Sequence, residues 1–316
     1  MADEAKTERI RRAPGNGAHE EPYLIVLAGG PAGMMYKLRF DTAMVIGRGL
    51  HADIRLEDEG VSRRHVQVTA SRDGNPVLED LGSSNGTFVN GIQIQRQQLE
   101  DGDKIQIGSI SILKFSYQDD LERSFQQKLF DRGTKDGLTE IYNKKFFLDQ
   151  LASEYAHARR HNRDLSLLFF DVDHFKSIND MYGHPAADFI LRELARVARE
   201  TLRTEDLLAR YGGDEFVVVM RDIDDAGTLV LAQRIHSVVE SHQFIFDGVE
   251  IPLTISLGVA SLSATMNDAN ELVQLADKYL YEAKEAGRNR VGGRAVKIAT
   301  QSTRDFPTVR KRSGKA

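Results

Sequence analysis

The sequence predicts an all-β sandwich over residues 22–116 followed by an α/β domain over residues 134–293. A chain of 316 residues is long enough for two hydrophobic cores. Its first third is a series of short β-prone runs separated by turn residues, the pattern of a sandwich. Past Tyr117 the apolar residues recur at helical spacing, and helical segments then alternate with strands, the pattern of an α/β fold.

The elements follow in order. Residues 1–21 are polar and contain Pro14-Gly15-Asn16-Gly17, which predicts a disordered tail. β-runs then occur at Leu24–Leu27, Met44–Ile46, Val66–Val68, Val77–Leu81, Phe88–Val89 and Ile105–Ile107. Turn signals at Gly29-Gly30-Pro31, Asp73-Gly74-Asn75, Asn85-Gly86, Asn90-Gly91 and Asp101-Gly102 part them. Residues 117–133 read as a linker helix with Leu121, Phe125 and Leu129 on one face. That stripe either packs on a domain or pairs with its copy in a dimer. A helix is expected over Lys144–Arg160, a buried strand over Leu165–Phe170 and a helix over Ala186–Leu202. Tyr211 and Phe216–Met220 flank Gly212-Gly213 as a hairpin, and helix Ala226–Glu240 follows. Phe244–Phe246 and Ile251–Ala260 flank Asp247-Gly248 as a second hairpin. Helix Glu271–Ala286 ends at Gly287, a residue suited to a left-handed cap. Residues 294–316 are strongly basic and read as a solvated, disordered tail.

Composition excludes several classes. Cysteine is absent, so there is neither a disulfide nor thiol chemistry. No apolar run approaches the roughly 18 residues of a membrane span, and the N-terminus lacks the apolar core of a signal peptide. A cytoplasmic protein without a membrane span is expected. The net charge of -5 argues against a general nucleic-acid binder, so any phosphate ligand must be held by local basic clusters and backbone N–H groups.

Two acidic clusters carry the chemistry of the second domain. Phe169-Phe170-Asp171-Val172-Asp173 is an apolar strand ending in carboxylates, and Gly212-Gly213-Asp214-Glu215 puts two more on a hairpin tip. Brought together, they offer hard oxygen ligands to a divalent metal, and Mg²⁺ favours a few carboxylates plus substrate phosphates. Alone, each cluster reads as solvated acids.

Together these segments resemble the GGDEF family of diguanylate cyclases. The likeness rests on Tyr211-Gly212-Gly213-Asp214-Glu215-Phe216, Asp171-Val172-Asp173-His174-Phe175-Lys176, Ile178-Asn179-Asp180, Tyr182-Gly183-His184, and Ala283-Lys284 with Gly287-Arg288-Asn289-Arg290-Val291, in the family's order and spacing. It covers about Thr134 to Gly293. The resemblance implies a palm-like nucleotidyl cyclase sheet with one GTP per domain. Two domains would face each other in a homodimer, and each GTP 3′-hydroxyl would attack the other's α-phosphate to give cyclic di-GMP. It further implies that Asp171, the Val172 carbonyl and Asp214 hold Mg²⁺ (or Mn²⁺), with Glu215 beside them as a catalytic acid. Asn179 and Asp188 match guanine-reading positions, and acceptors buried there would reject ATP. Lys176, Lys284 and Arg288 match phosphate-contacting positions, whereas Lys144 and Lys145 match none and read as solvated.

Arg203-Thr204-Glu205-Asp206, with five residues between Asp206 and Gly212, resembles the family's product-inhibition site, with Arg234 as a second contributing arginine. Arginine stacks on guanine and pairs with phosphate, and aspartate accepts from a guanine edge. Two residues depart from the family pattern. Glu140 replaces a usual glycine in the opening segment Asp136–Asn143, and Ala187 replaces a glycine before Asp188. If the glycine at 187 needs a positive φ, alanine there costs stability and displaces the guanine reader.

In the first domain, Gly47-Arg48, Ser62-Arg63-Arg64-His65 and Leu81-Gly82-Ser83-Ser84-Asn85-Gly86-Thr87 fall on loops between β-runs. Arginines, serines and an asparagine on neighbouring loops make an anion site. The set resembles the forkhead-associated (FHA) domain, a phosphothreonine reader, over about Pro22 to Phe115. The resemblance implies that Arg48 and Ser62 hold the phosphate, that Arg63 or Ser84 assists, and that Asn85 holds the peptide backbone. His65 reads as structural.

The expected function is therefore a diguanylate cyclase governed by phosphothreonine-peptide binding and product feedback. The competing readings are a catalytically inactive cyclic di-GMP receptor and a phosphopeptide-binding adaptor. The peptide is supplied either by another protein or by the chain's own N-terminal tail. There Thr7 is followed three residues on by the apolar Ile10, and about 14 residues of flexible chain span roughly 20 Å.

Overall fold

The computed structural model describes residues 20–49, 51–71 and 74–294. Thr7 and the tail beyond Arg294 lie outside the described residues. The chain divides into two compact units, residues 1–131 and 132–316.

The first unit contains β1 (Glu21–Ala28), β2 (Met35–Lys37), β3 (Ala43–Gly47), β4 (Ile54–Arg55), β5 (Val66–Ser71), β6 (Gly74–Asp80), β7 (Thr87–Val89), β8 (Ile92–Ile94), β9 (Arg96–Gln98), β10 (Lys104–Ile107) and β11 (Ser111–Gln118). They form two sheets, β2-β1-β11-β10-β7-β8 and β4-β3-β5-β6-β9. Burial alternates where polar and apolar residues alternate, as in β10, where Ile105 and Ile107 are buried between exposed Lys104 and Gln106. Leu24, Ile46, Val66, Leu78, Leu113 and Phe115 fill the space between the sheets. This is the β-sandwich that the turn spacing predicts.

Helix α1 (Asp120–Thr134) buries none of its residues. Its stripe stands in solvent, with Leu121 78%, Phe125 60% and Leu129 47% exposed.

The second unit contains β12 (Tyr142–Asn143), α2 (Lys144–His161), β13 (Leu165–Val172), α3 (Phe175–Tyr182), α4 (His184–Thr201), β14 (Leu207–Gly212), β15 (Glu215–Arg221), α5 (Asp225–Ser241), β16 (Ile245–Phe246), β17 (Val249–Glu250), β18 (Ile255–Ser261), α6 (Ala269–Glu285) and β19 (Val291–Gly293). Its main sheet has the order β12-β14-β15-β13-β18-β19. All of β13 is buried, because helices cover both faces. Leu168, Phe170 and Val172 pack with Ile190, Leu194 and Ile235 on one side. Leu167 and Phe169 pack with Phe147, Leu151, Leu272 and Leu280 on the other. The unbroken apolar run Leu165–Phe170 is the sequence record of that double burial.

The structure departs from the expected elements at two places. The second hairpin is only β16–β17, and β18 begins at Ile255 rather than Ile251 and joins the main sheet against β13. Segment 175–182, whose polar residues hide its period, is helix α3. The two departures from the family pattern behave differently. Ala187 lies buried within α4 and is not among the left-handed residues, so the condition for strain there is not met. Glu140 does sit at φ 60°, where glycine would be free of strain. Among the described residues, no helix is long and apolar enough to cross a membrane.

Candidate functional site

The acidic clusters meet at the end of the central strands. In the β13–β15 register Asp171 lies directly opposite Glu215, and Asp214 sits on the intervening β14–β15 tip. That tip turns through Gly213 at φ 56°, and a Cβ on Gly212 or Gly213 would meet nothing within 4 Å. The space above the glycines is therefore open. Arg210 fixes the tip from below: its Nε donates to the Gly213 carbonyl at 2.8 Å and its Nη1 to Asp136 at 3.0 Å. Asp136 also accepts from the Thr139 backbone and hydroxyl, so the opening segment is folded against the hairpin. Sequence reasoning missed Arg210, and the arginine two residues before a glycine pair was the available signal.

The electrostatics of this corner are unfavourable to the acids. Burial, joined by the charges of Asp214 and Glu215, pushes the Asp171 carboxyl up to about 6, although Lys284 opposes the shift by donating from Nζ at 2.7 Å. Burial also raises Asp214. Glu215 is raised by burial and then by Asp214 and Asp277. Among the described residues, no group of three or more His, Asp or Glu side chains is gathered tightly enough to form a metal cage by itself. Lys144, expected to be solvated, places its Nζ 3.8 Å from the centre of the Tyr211 ring and lowers Glu215 by its charge. Nothing in the sequence pattern signals that contact.

Beside the acids, α3 and α4 are joined by Gly183 at φ 81°. Asn179 on α3 has a buried side-chain oxygen with no hydrogen-bond partner. Asp188 is half-buried just past the first turn of α4, and Lys176 is exposed on α3. Lys284 lies in the last turn of α6, with Arg288 just past its end at φ 58°.

The expected product-inhibition residues share a second surface. Asp206 is buried and accepts from the Arg203 backbone N–H at 2.9 Å. Burial raises its carboxyl above the usual range. The Arg203 side chain is exposed, and Arg234 on α5 donates to the Thr201 carbonyl at the end of α4.

In the sandwich unit the predicted anion-site residues gather on the loops after β3, before β5 and before β7. The Arg48 and Gly49 backbone N–H groups donate to the carbonyls of Ser62 and Arg63 at 3.1 and 3.0 Å. A Cβ on Gly47 would lie 2.4 Å from the Arg63 carbonyl oxygen, so this close approach requires glycine. The Ser84 backbone N–H donates to Ser62 Oγ at 3.1 Å. Asp80 braces the loop by accepting from the Gly82 and Ser83 backbone and from Thr87. His65 is fully buried; its Nδ1 accepts from Ser62 N–H, so its Nε2 donates to the Gly86 carbonyl. Its role is structural, as the sequence reading expected. Asn85 is exposed and spends one amide hydrogen on the Gly60 carbonyl. Arg63 is exposed, and the buried Nε of Arg48 has no partner.

Each unit matches a known domain family. Residues 134–290 match the family described as diguanylate cyclase, GGDEF domain, and residues 44–108 match the FHA domain. The chain is 39% identical over 165 residues to the probable diguanylate cyclase DgcC of Escherichia coli, covering 52% of this chain and 44% of that one. It is 38% identical over 168 residues to diguanylate cyclase A of Treponema denticola, covering 52% and 45%. It thus spans less than half the length of these relatives. Among solved structures it resembles the coiled coil and GGDEF domain of DgcB from Caulobacter crescentus in complex with c-di-GMP. There the TM-score is 0.52 and the identity 28%, covering 54% of this chain and 91% of that one. Diguanylate cyclase SiaD of Pseudomonas aeruginosa, solved with its activator SiaC, gives a TM-score of 0.51 at 28% identity over 55% and 66%. With a GGDEF domain over residues 134–290 and an FHA domain ahead of it over residues 44–108, the chain belongs to the GGDEF family.

Proposed function

We propose that this chain is a cytoplasmic diguanylate cyclase that joins two GTP molecules into cyclic di-GMP, under control of a phosphothreonine peptide bound by its FHA domain. The observation that carries the reading is the meeting of Asp171, Asp214 and Glu215 with Lys284 beneath an open two-glycine tip. The relatives named as diguanylate cyclases support it over the same residues.

Each 3′-hydroxyl attacks the α-phosphorus of the opposite GTP. Two phosphodiester bonds form, and two pyrophosphates and two protons leave. One domain holds one GTP, so two chains must face each other, and the exposed Leu121, Phe125 and Leu129 stripe of α1 is the face that pairs them. Lys176, Lys284 and Arg288 take the triphosphate. The unpartnered Asn179 oxygen and the Asp188 carboxylate accept from guanine N1–H and N2–H₂, which adenine lacks.

The donor set fits a divalent cation, because Asp171, Asp214 and Glu215 bring hard carboxylate oxygens to one strand end and hairpin tip, and Lys284, Arg210 and Lys144 offset their charge only in part. Asp171, Asp214 and the Val172 carbonyl would hold Mg²⁺ (or Mn²⁺). When bound, the ion neutralises the triphosphate and acidifies the attacking hydroxyl.

Arg203, Asp206 and Arg234 receive the product and restrain turnover. In the FHA domain, Arg48 and Ser62 take the phosphate with Arg63 or Ser84 assisting, and Asn85 holds the peptide backbone.

The test incubates the purified chain with GTP and Mg²⁺, with ATP as control. Two pyrophosphates per cyclic di-GMP are expected from GTP and nothing from ATP. A folded, dimeric chain that makes no product overturns the enzyme reading.

A further inference from the structure

The turn after α6 holds Arg288 in a conformation that arginine does not favour. Gly287, Arg288 and Asn289 lie in succession at φ 111°, 58° and 47°. Glycine adopts such angles freely, but an arginine stays there only when its surroundings hold it. The helix end supplies the first restraint, since the Arg288 N–H bonds to the Ala283 carbonyl at 3.1 Å.

The second restraint is Asn289. Its backbone N–H donates to Asp173 Oδ2 at 3.0 Å. Its amide nitrogen donates to Glu240 at 2.7 Å, and its amide oxygen accepts from His236 Nε2 at 2.7 Å. His236 and Glu240 are four residues apart on α5, so they grip the amide from one helix face. Asp173 is itself immobilised: it is buried and also accepts from the hydroxyls of Thr254 and Ser256 at 2.8 and 2.7 Å.

The strand end therefore touches the α6 corner twice. Asp171 meets Lys284, and two residues on Asp173 meets Asn289, with Arg288 between the two ties. We propose that Asn289, gripped by His236, Glu240 and Asp173, is a positioning residue that keeps Lys284 and Arg288 aimed at the nucleotide triphosphate. Asn289 makes no contact with substrate in this role. It sets the register between the phosphate-binding cations and Asp171, and it rests on the GTP reading given above.

The test measures binding of 3′-deoxy-GTP, which cannot condense, and of GMP, which lacks the outer phosphates, to the full chain by calorimetry. Asn289→Gly keeps a residue at ease in the left-handed turn while removing the amide. It is expected to weaken 3′-deoxy-GTP roughly tenfold and leave GMP unchanged. Glu240→Gln keeps an acceptor for the amide and should bind as the parent does, whereas Glu240→Ala combined with His236→Ala should weaken 3′-deoxy-GTP alone. Thermal melting verifies that each variant is folded. Parent-like 3′-deoxy-GTP affinity in Asn289→Gly, or equal loss of both nucleotides, overturns the assignment. A parent chain that binds neither nucleotide overturns the GTP reading and this one with it.

Discussion

Lys284 Nζ lies 2.7 Å from Asp171 Oδ2, so the cation assigned to phosphate rests on a buried acid of the site. Even with this partner, burial and then the charge of Asp214 hold Asp171 near about 6 instead of 3.8. The folded chain thus keeps a proton that the unfolded chain releases between 3.8 and about 6, and folding stability falls as pH rises through that window. Asp171→Asn removes the charge while keeping the shape. At pH 7 without metal its melting temperature should exceed the parent's, with the slope in that window reduced to what the raised Asp206, Asp214 and Glu215 still contribute, and cyclic di-GMP synthesis lost. A melting curve that tracks the parent across the window contradicts the account.

Asp214 occupies the hairpin tip, where Arg210 and Asp136 fix the backbone independently of its side chain. Asp214→Ala should therefore stay folded, melting no lower than the parent, and lose on the order of a hundredfold or more in pyrophosphate release. Near-normal turnover by the folded variant would remove Asp214 from the metal set.

Arg203 exposes its side chain, and only its backbone serves the Asp206 turn. Arg203→Ala should leave initial rates similar or higher and relieve inhibition by added cyclic di-GMP. Unchanged inhibition would make the Arg203–Asp206 pair a structural turn and nothing more.

Arg48 carries a buried Nε without a partner, a group that a phosphate oxygen would satisfy. A peptide of residues 1–15 phosphorylated at Thr7 should bind the chain, and its unphosphorylated twin should not. Arg48→Ala should abolish the binding. Binding that ignores either the phosphate or Arg48 leaves an external partner as the source of the peptide.

The α1 stripe should govern assembly. Phe125→Glu is expected to lower turnover per chain at dilute concentration and to shift the dimer to higher concentration by sedimentation, with each unit's fold unaffected because α1 buries no residue. Full activity in a monomeric sample would refute the two-chain mechanism.

What the sequence made legible followed from periodicity and from motif order. The apolar run Leu165–Phe170 announced a strand covered on both faces, and Gly287 announced a left-handed helix end, which the structure shows at φ 111°. Helix α3 escaped notice because Lys176, Ser177, Asn179 and Asp180 obscure its apolar face, leaving Ile178 as its only buried residue. Strands β2, β4, β8 and β9 are two or three residues long, too short for an alternation to register. The ties that hold the site in place, such as Arg210 to Asp136 and Asn289 to His236, join residues 74 and 53 positions apart. A local pattern carries no trace of such pairs.

The central strand β13 pairs with β15 and with β18, whose last residue is Ser261. During synthesis the β-sandwich has all of its strands once Gln118 has emerged, and it can close by itself. The catalytic sheet cannot, because Asp171 waits for a partner strand made some 90 residues later. A ribosome stalled between the two points would therefore present a finished FHA sandwich attached to an unassembled GGDEF sheet. The order of translation alone completes the FHA unit before the GGDEF unit begins to close.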